Sequence, residues 1–331
     1  MNAKAVVFTA PNTVTVAAVE CPDPGPAEVV VRVTHSWISN GTEGSFLRGE
    51  RIAGDTPRRP TDPVPFPIVA GYQKVGVVEW VGSEIDDLTA GETVFAALGR
   101  VKGMFEAHGG QVSPSVSGRN QIWKLPPGVD PLACAGLVLT QVGYNCGARA
   151  PVRIGDGAIV IGDGMVGQWA AQTLAWRGAR VLLVGHRDDR LARFAPGPFG
   201  AAVNASRRDW IQVARELFPR GAAVAVDTVG SVPALEQLRP LMRQYGHLVS
   251  AGFYGTQDQV ALQPLRAGEL SVDLVSGWSQ ERMDQTLALV ASGHLTTLPL
   301  ITHRFPVAQA PQAWALIEQR DSPALGVILD W

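Results

Sequence analysis

One glycine-rich segment of the chain has the residue types and the spacing of a phosphate-binding turn. Gly162, Gly164 and Gly167 follow the apolar run GAIVIG and open the helical pattern MVGQWAAQTLAWRG. The first glycine permits a tight turn, the second lets the backbone approach a pyrophosphate, and the third lets helix pack on strand. The N–H groups and dipole of a helix beginning at Met165 and Val166 favour phosphate oxygens. The segment therefore predicts a dinucleotide site, and a strand–helix turn without a ligand is the alternative.

The end of the next apolar run, RVLLVG, bears on which dinucleotide would bind. An NAD site usually places Asp or Glu there to accept from the ribose 2′-hydroxyl. This chain has Gly185, followed by His186 and Arg187. Without a carboxylate there is room for a 2′-phosphate, and a guanidinium is suited to binding one. These residues favour NADP(H) over NAD(H); the alternative is that Arg187 is only a solvated surface residue.

The element pattern around these residues changes near residue 130. Before it lie short valine-rich runs separated by Gly, Pro or Asp, which predict strands: AKAVVF, VTVAAV, EVVVRVTH, KVGVVEWVG and ETVFAAL. After it, the predicted strands GAIVIG, RVLLVG, AAVAVDTVG and HLVSAGFYG alternate with helical segments such as Ser206–Phe218 and Val232–Arg243. Such alternation predicts a doubly wound parallel sheet, so the fold class is α/β.

Local composition predicts the structure of three further stretches. The proline- and arginine-rich residues 49–67 predict a surface loop. The uncharged residues 131–148 indicate a buried helix, because their polar side chains and glycines suit a protein core better than a bilayer. The end of the chain predicts helices at Arg282–Ser292 and Val307–Gln319, the loop HLTTLPLITHRFP between them, and a final strand GVILDW.

Composition excludes several classes of protein. The 331 residues are 46% hydrophobic and 18% charged with a net charge of −2, so they predict a folded chain without an electrostatic surface for nucleic acid or anionic lipid. Cys21, Cys134 and Cys146 are too few for a disulfide scaffold, which favours a reducing cytoplasm. The first residues lack the apolar core of a signal peptide. We therefore expect a soluble cytoplasmic protein whose partner is a small molecule.

Several segments together resemble the medium-chain dehydrogenase/reductase superfamily over nearly the whole chain. They are PIVAGYQKVGVVEWVG, the GDGMVG turn, VDTVG and PLITHRFP. The resemblance implies a GroES-like β-rich catalytic domain at 1–138 and 276–331, and a Rossmann dinucleotide-binding domain at 139–275. It also implies a homodimer, and it adds Gly252 and Phe253 of the SAGFYG segment to the cofactor site.

Within that superfamily, three segments look most like the bacteriochlorophyllide 3-hydroxyethyl dehydrogenases. They are THSWISNGTEG, SAGFYG and the terminal ILDW. Related oxidoreductases that lack zinc share the Ser-x-Gly-Thr-Glu pattern, so the resemblance favours a zinc-lacking member.

The family comparison also bears directly on zinc. Alcohol dehydrogenases of this superfamily hold catalytic zinc with a Cys, a His-Glu pair and a further Cys, Asp or Glu. Here the corresponding positions carry Ser39, Tyr72 with Gln73, and Leu137 or Val138. One nearby thiol cannot complete a tetrahedral Zn²⁺ site. The sequence therefore predicts that zinc is absent and that no metal takes part.

Without zinc, another group must stabilise the charge that develops on the substrate oxygen. The resemblance implies that the fold gathers six polar residues at this point: Ser39, Asn40, Thr42, Glu43, Tyr72 and Gln73. Tyr72 is the first candidate for proton donor, because a phenol can hydrogen-bond an oxyanion and relay a proton. Ser39 and Thr42 are the other candidates. The alternatives are that Tyr72 only fills the space of the metal with its hydroxyl on Gln73, and that Glu43 makes a structural ion pair.

Three functions remain open from the sequence. The first is a zinc-independent, NADP(H)-dependent oxidoreductase that interconverts a secondary alcohol and a ketone by hydride transfer. The second is an NADPH-dependent reductase of conjugated C=C bonds in enones or quinones. The third is an NADPH-binding protein without catalytic activity.

Overall fold

The computed structural model describes residues 1–256, 259–319 and 321–331, and all elements below belong to these residues. They form two compact units. The first unit comprises Met1–Val138, Met283–Ala291 and Thr297–Trp331, and the second comprises Leu139–Arg282 and Ser292–Thr296.

Strands and helices are numbered in chain order. The strands are β1 (Asn2–Ala10), β2 (Thr13–Glu20), β3 (Glu28–Ile38), β4 (Arg51–Ala53), β5 (Thr56–Pro57), β6 (Ile68–Val69), β7 (Lys74–Val81), β8 (Thr93–Ala96), β9 (Gly99–Arg100), β10 (His108–Gly109), β11 (Val112–Ser113), β12 (Ser115–Gly118), β13 (Ile122–Lys124), β14 (Gly157–Ile161), β15 (Arg180–Gly185), β16 (Ala201–Asn204), β17 (Ala222–Asp227), β18 (Met242–Ser250), β19 (Ser271–Leu274), β20 (Ile301–Pro306) and β21 (Gly326–Asp330). The α-helices are α1 (Asn40–Leu47), α2 (Pro131–Cys134), α3 (Leu137–Arg149), α4 (Met165–Trp176), α5 (Asp188–Leu191), α6 (Trp210–Leu217), α7 (Val232–Leu238), α8 (Leu262–Ala267), α9 (Gln280–Ala291) and α10 (Ala310–Ile317). Short 3₁₀ helices span Arg119–Gln121, Arg239–Leu241, Leu298–Leu300 and Val307–Gln309.

A parallel sheet in the order β16-β15-β14-β17-β18-β19 forms the centre of the second unit. In sequence order this is 3-2-1-4-5-6, the arrangement of a Rossmann fold. Successive residues of β14 face opposite sides of the sheet: Ile159 packs in one apolar core and Val160 in the other. Burial on both faces explains why these strands are continuous apolar runs. The predicted fold class is confirmed.

The first unit is built mainly from antiparallel strands, as the GroES-like prediction requires. Its larger sheet runs β13-β8-β7-β3-β21-β20, with β12 also on β3, and a second sheet runs β11-β1-β2, with β6 also on β1. β20 and β21 are a parallel pair. Within this frame Ser39 lies between β3 and α1, and Tyr72 lies between β6 and β7.

Several predicted element boundaries are wrong. The loop predicted from His294 contains β20, because pairing with β21 stabilises a strand that local composition does not indicate. The helix predicted to reach Arg243 ends at Leu238, since Pro240 lacks the N–H that a continuing helix needs. The helix predicted from Ser206 begins at Trp210, where the Asp209 side chain accepts hydrogen bonds from two backbone N–H groups of the first turn.

The proline-rich segment 49–67 contains the two-stranded hairpin β4–β5. Buried Arg51 holds it: Nε donates to Ser45 Oγ at 2.5 Å, and Nη1 donates to Gly54 O and Asp55 Oδ1 at 3.0 and 2.8 Å. The uncharged stretch after Pro131 forms two helices, α2 and α3. Across the described ranges, every helix is too short or too polar to cross a bilayer.

Candidate active site

The glycine-rich turn between β14 and α4 has a separate steric requirement at each of its three glycines. Gly162 has φ +114°, and a Cβ there would lie 2.3 Å from Thr228 Oγ1. A Cβ on Gly167 would lie 1.9 Å from the carbonyl oxygen of Gly162. A Cβ on Gly164 would have no atom within 4 Å. Two glycines are therefore needed by the protein's own packing, and the middle one faces open space.

That open space fits a pyrophosphate. Gly164 is the N-cap of α4, whose first residues Met165 and Val166 present backbone N–H groups that no helical carbonyl can accept. Such an N-terminus binds anions through its N–H groups and dipole. All five residues predicted for this part of the site therefore lie together at one turn.

At the end of β15 the structure reveals a residue that the sequence reasoning missed. Asp163 Oδ2 accepts from the backbone N–H groups of His186 and Arg187 at 2.7 and 2.8 Å. A Cβ on Gly185 would lie 2.3 Å from the same oxygen. Gly185 therefore makes room for the Asp163 carboxylate, which comes from the neighbouring glycine-rich turn. The sequence did offer a signal for this role, because Asp163 is an acidic residue between two glycines of the motif.

Both basic and acidic side chains follow the end of β15. Arg187 Nε donates to Asp189 Oδ1 at 3.2 Å, and its side chain is 30% exposed. Arg190 Nη1 lies 3.8 Å from Asp163 Oδ1. The His186 ring is 3.1 Å from Ser206 Oγ. Arg187 is thus partly exposed and paired to an exposed acid, so an anion can approach its guanidinium.

Gly252 and Phe253 lie just after β18, beside the loop that follows β17. A Cβ on Gly252 would lie 1.9 Å from the backbone N of Gly230, and a Cβ on Gly230 would lie 2.5 Å from the backbone N of Phe253. The two loops therefore touch backbone to backbone. Both follow carboxyl ends of parallel strands, the edge at which ligands of such sheets bind.

In the first unit, the three predicted catalytic side chains come together. The Tyr72 hydroxyl donates to Ser39 Oγ at 2.7 Å, and Tyr72 is also hydrogen-bonded to the Thr42 side chain. Burial raises the pKa of the Tyr72 phenol, the charge of Glu43 raises it further, and the two hydroxyl partners act in the opposite direction. Tyr72 therefore keeps its proton at neutral pH, as a proton donor must.

Glu43 lies on α1 beside this cluster and is almost completely buried. Oε1 accepts from the backbone N–H of Ser39 at 2.8 Å, and Oε2 accepts from Gln111 Nε2 at 2.7 Å. Burial raises the pKa of the Glu43 carboxyl to about 8. Among the described residues no cation pairs with it, so the ion pair considered from the sequence is not formed.

The Gln73 amide group, which one alternative places against the Tyr72 hydroxyl, has a backbone partner. Its Nε2 donates to the carbonyl of Trp37 at 3.0 Å. Trp37 is fully buried, with Gly136 and Gly326 leaving room for its ring, so it is a core residue.

The donor set at this point does not fit zinc. Proteins bind zinc with Cys sulfur, His nitrogen or carboxylate oxygen. The positions concerned offer hydroxyl, phenol and amide groups that hydrogen-bond one another and the backbone. In the part of the chain that the structure describes, no group of three or more His, Cys, Asp or Glu side chains is arranged to hold a metal ion.

Comparison with known proteins agrees with the fold. The zinc-binding dehydrogenase family model matches residues 166–292. The 2-desacetyl-2-hydroxyethyl bacteriochlorophyllide A dehydrogenase of Rhodobacter capsulatus is 27% identical over 337 residues, covering 100% of this chain and 99% of the relative.

Two solved structures superpose on nearly the whole chain. The alcohol dehydrogenase of Thermus sp. ATN1 has a TM-score of 0.84 at 24% identity and covers 99% of both chains. A putative zinc-binding dehydrogenase from Sinorhizobium meliloti 1021, bound to NADP, has a TM-score of 0.83 at 21% identity and covers 100% of both. The resemblance predicted from the motifs is confirmed: the chain is similar over its whole length to alcohol dehydrogenase-like members of the medium-chain dehydrogenase/reductase superfamily.

Proposed function

We propose that this protein is a zinc-independent oxidoreductase that interconverts a secondary alcohol and a ketone, with NADP(H) as the preferred cofactor. The observation that carries the proposal is the hydrogen-bonded cluster of Tyr72, Ser39 and Thr42. Ser39 and Tyr72 stand at two of the positions where zinc-dependent alcohol dehydrogenases of the superfamily carry metal ligands. The name of the bacteriochlorophyllide relative, which describes a hydroxyethyl dehydrogenase, supports the alcohol–ketone chemistry.

Tyr72 supplies the proton that ketone reduction requires. Its O–H donates to the substrate oxygen as negative charge builds there. The Ser39 and Thr42 hydroxyls can each rotate and donate to the resulting phenolate, which lowers the cost of losing the proton. By microscopic reversibility, oxidation of the alcohol uses the same path in reverse and requires Tyr72 first to lose its proton to solvent. Both hydroxyls therefore serve Tyr72 in either direction.

The glycine-rich turn supports a nicotinamide cofactor. Gly164 and the first turn of α4 would hold the pyrophosphate, and Arg187 would meet the 2′-phosphate of NADP(H). When bound, the nicotinamide supplies or accepts the hydride. The Sinorhizobium meliloti neighbour was solved with NADP, which supports this class of cofactor.

The proposal extends to the organisation of the protein. We assign 1–138 with 276–331 to the GroES-like domain and 139–275 to the Rossmann domain. We also propose a homodimer formed through β19, an edge strand whose Val272 and Leu274 side chains are 46% and 74% exposed. Three free, buried cysteines support a reducing cytoplasm as the setting.

NADPH oxidation by the purified protein against matched ketones, enals and quinones tests the function. We expect turnover with ketones. Preferred turnover of enals or quinones, in which the proton goes to carbon, would replace the proposal with C=C reduction. Cofactor binding without turnover of any class would indicate an NADPH-binding protein without catalytic activity.

A further inference from the structure

Asp227, the last residue of β17, organises the loop that follows it. The residue is fully buried. Oδ1 accepts from the N–H of Val229 at 2.9 Å, and Oδ2 accepts from the N–H of Ser231 at 3.1 Å. The N–H of Gly230 lies 3.3 and 3.2 Å from the two oxygens. One carboxylate thus satisfies three backbone donors of its own loop.

The same carboxylate also reaches the loop after β18. The Tyr254 hydroxyl donates to Asp227 Oδ2 at 2.6 Å, and Ser250 Oγ lies 2.6 Å from the Tyr254 oxygen. A phenol has one hydrogen, and Tyr254 gives it to the carboxylate, so Ser250 is the donor to Tyr254. Asp227, Tyr254 and Ser250 therefore form one hydrogen-bonded chain between two loops.

This connection is not needed to satisfy Asp227, which already accepts from three backbone N–H groups. What it adds is a fixed distance between the loops at the point where Gly230 and Gly252 pass each other. Their backbones approach so closely that a Cβ on Gly252 would lie 1.9 Å from the Gly230 nitrogen. A shift of either loop would open or close that contact.

The strand order says which part of a dinucleotide these loops would face. In Rossmann folds the pyrophosphate of a bound dinucleotide lies at the turn after the first strand, and the adenosine ribose lies toward the end of the second. In this chain those strands are β14 and β15. β17 and β18 are on the other side of β14, so their loops face the second nucleotide of the pair. In a nicotinamide dinucleotide, that is the nicotinamide half.

We propose that Asp227 and Tyr254 are positioning residues for the nicotinamide half of the cofactor. Their hydrogen bond fixes the loop at 229–231 against the loop at 251–254. The Gly252 and Phe253 backbone is thereby held in position to contact the nicotinamide ring. This inference rests on the proposed function, because it requires that the protein binds a nicotinamide dinucleotide.

The test compares a whole dinucleotide with its adenine half. Wild type and Tyr254→Phe are titrated with NADPH or NADH, whichever wild type binds more tightly, and with the matching fragment, 2′,5′-ADP or 5′-AMP. Loss of a hydrogen bond to a charged group should weaken dinucleotide binding by about tenfold. Fragment binding should stay within about twofold, because the fragment lacks the nicotinamide.

Tyr245→Phe is the matched control, since Tyr245 is 63% exposed and lies away from this chain of hydrogen bonds. Ser250→Ala keeps the hydrogen bond between Tyr254 and Asp227. It should also weaken dinucleotide binding more than fragment binding, but by a smaller factor. If Tyr254→Phe does not fold, Ser250→Ala replaces it in the test. Unchanged dinucleotide binding overturns the inference, as does equal weakening of dinucleotide and fragment. If wild type binds no dinucleotide, the proposed function fails together with it. A wild type that prefers NADH removes only the NADP preference.

Discussion

Tyr72 combines three properties that a proton donor needs. Its hydroxyl is hydrogen-bonded to Ser39 Oγ and to the Thr42 side chain, the residue as a whole is half-buried, and burial together with the charge of Glu43 raises the pKa of the phenol. A buried phenol that only filled space would need one partner. Two hydroxyl partners allow the phenolate to be stabilised after proton transfer.

Tyr72→Phe should lower kcat and kcat/KM together by roughly 10²-fold, because a general acid acts on the transition state. The dissociation constant of the cofactor should stay within about twofold of wild type, since Tyr72 is outside the glycine-rich turn. Steady-state kinetics and fluorescence titration measure the two quantities, with Tyr245→Phe as the control. Near-wild-type turnover would make Tyr72 a space-filling residue and direct attention to Ser39 and Thr42.

Glu43 gives the protein a pH dependence that can be worked out in sign. Its pKa is about 8 in the folded chain against a reference of 4.5, because burial disfavours the charged form. Between these values the folded state binds more protons than the unfolded state. The free energy of unfolding therefore falls as pH rises through this window, by at most about 1.4 kcal/mol per pH unit.

Glu43→Gln should flatten this dependence. The new amide still accepts from the Ser39 N–H. Gln111 Oε1 is buried and has no hydrogen-bond partner among the described residues, so a flipped Gln111 amide can accept from the new N–H group at position 43. Urea unfolding at pH 5, 6.5 and 8 should show the variant gaining stability over wild type as pH rises. In wild type, ketone reduction should decline above about pH 8, because the Glu43 carboxylate then raises the pKa of Tyr72 and makes it a weaker proton donor. Glu43→Gln should remove this decline. The same pH dependence in both proteins would assign it to another group; exposed Glu84→Gln is the control.

At the scale of elements, the backbone conformation at the end of β15 depends on the neighbouring glycine-rich turn. Asp163 holds the His186 and Arg187 N–H groups, and Gly185 leaves room for the carboxylate. Any side chain at Gly185 would collide with Asp163. Introducing an acid there is therefore a poor test of cofactor choice, and Arg187 is the better residue to change.

Arg187→Ala should weaken NADPH binding and leave NADH binding nearly unchanged. Charge-assisted hydrogen bonds to a 2′-phosphate contribute about 1.5–3 kcal/mol, which corresponds to about ten- to a hundredfold in the dissociation constant. Fluorescence titration with both cofactors measures the change, and Arg215→Ala, an exposed arginine on α6, is the control. Unchanged NADPH affinity, or a wild type that prefers NADH, would contradict the proposed role.

At the scale of the whole molecule, the chemistry of the first unit predicts independence from zinc. Purified protein should contain no stoichiometric zinc, and chelator treatment should leave its activity unchanged, because Ser39, Tyr72 and Gln73 offer no ligands that zinc prefers. Elemental analysis and activity after dialysis against chelator make the measurement, with a zinc-dependent alcohol dehydrogenase treated in parallel. About one zinc per chain, with activity lost on its removal, would refute the prediction.

The proposed homodimer depends on an exposed sheet edge. Leu274→Lys should shift the protein toward monomer, because a charge on β19 opposes edge-to-edge pairing. Sedimentation velocity over a concentration series measures the shift. Ile154→Lys is the control, since Ile154 is 92% exposed and lies outside β19. A wild type that sediments as a monomer at all concentrations would exclude the dimer.

The sequence by itself determined the features that local patterns encode. The Rossmann sheet follows from apolar runs alternating with helical segments. The pyrophosphate turn follows from Gly162, Gly164 and Gly167, whose spacing is fixed by one strand and one helix. Family motifs indicated the resemblance to the superfamily. They also pointed to Tyr72, Ser39 and Thr42 as candidate catalytic residues.

Only the tertiary structure decided how distant residues act on one another. The Tyr72 hydroxyl and Ser39 are 33 positions apart, and Glu43 and Gln111 are 68 apart. Asp163 meets the end of β15, and Asp227 meets Tyr254, across neighbouring strands of one sheet. A hydrogen bond depends on position and direction within a few tenths of an ångström, and burial depends on everything packed around a group. Neither quantity is encoded by residue type and spacing along the chain, so the partners of Asp163, Glu43 and Tyr254 became visible only in the fold.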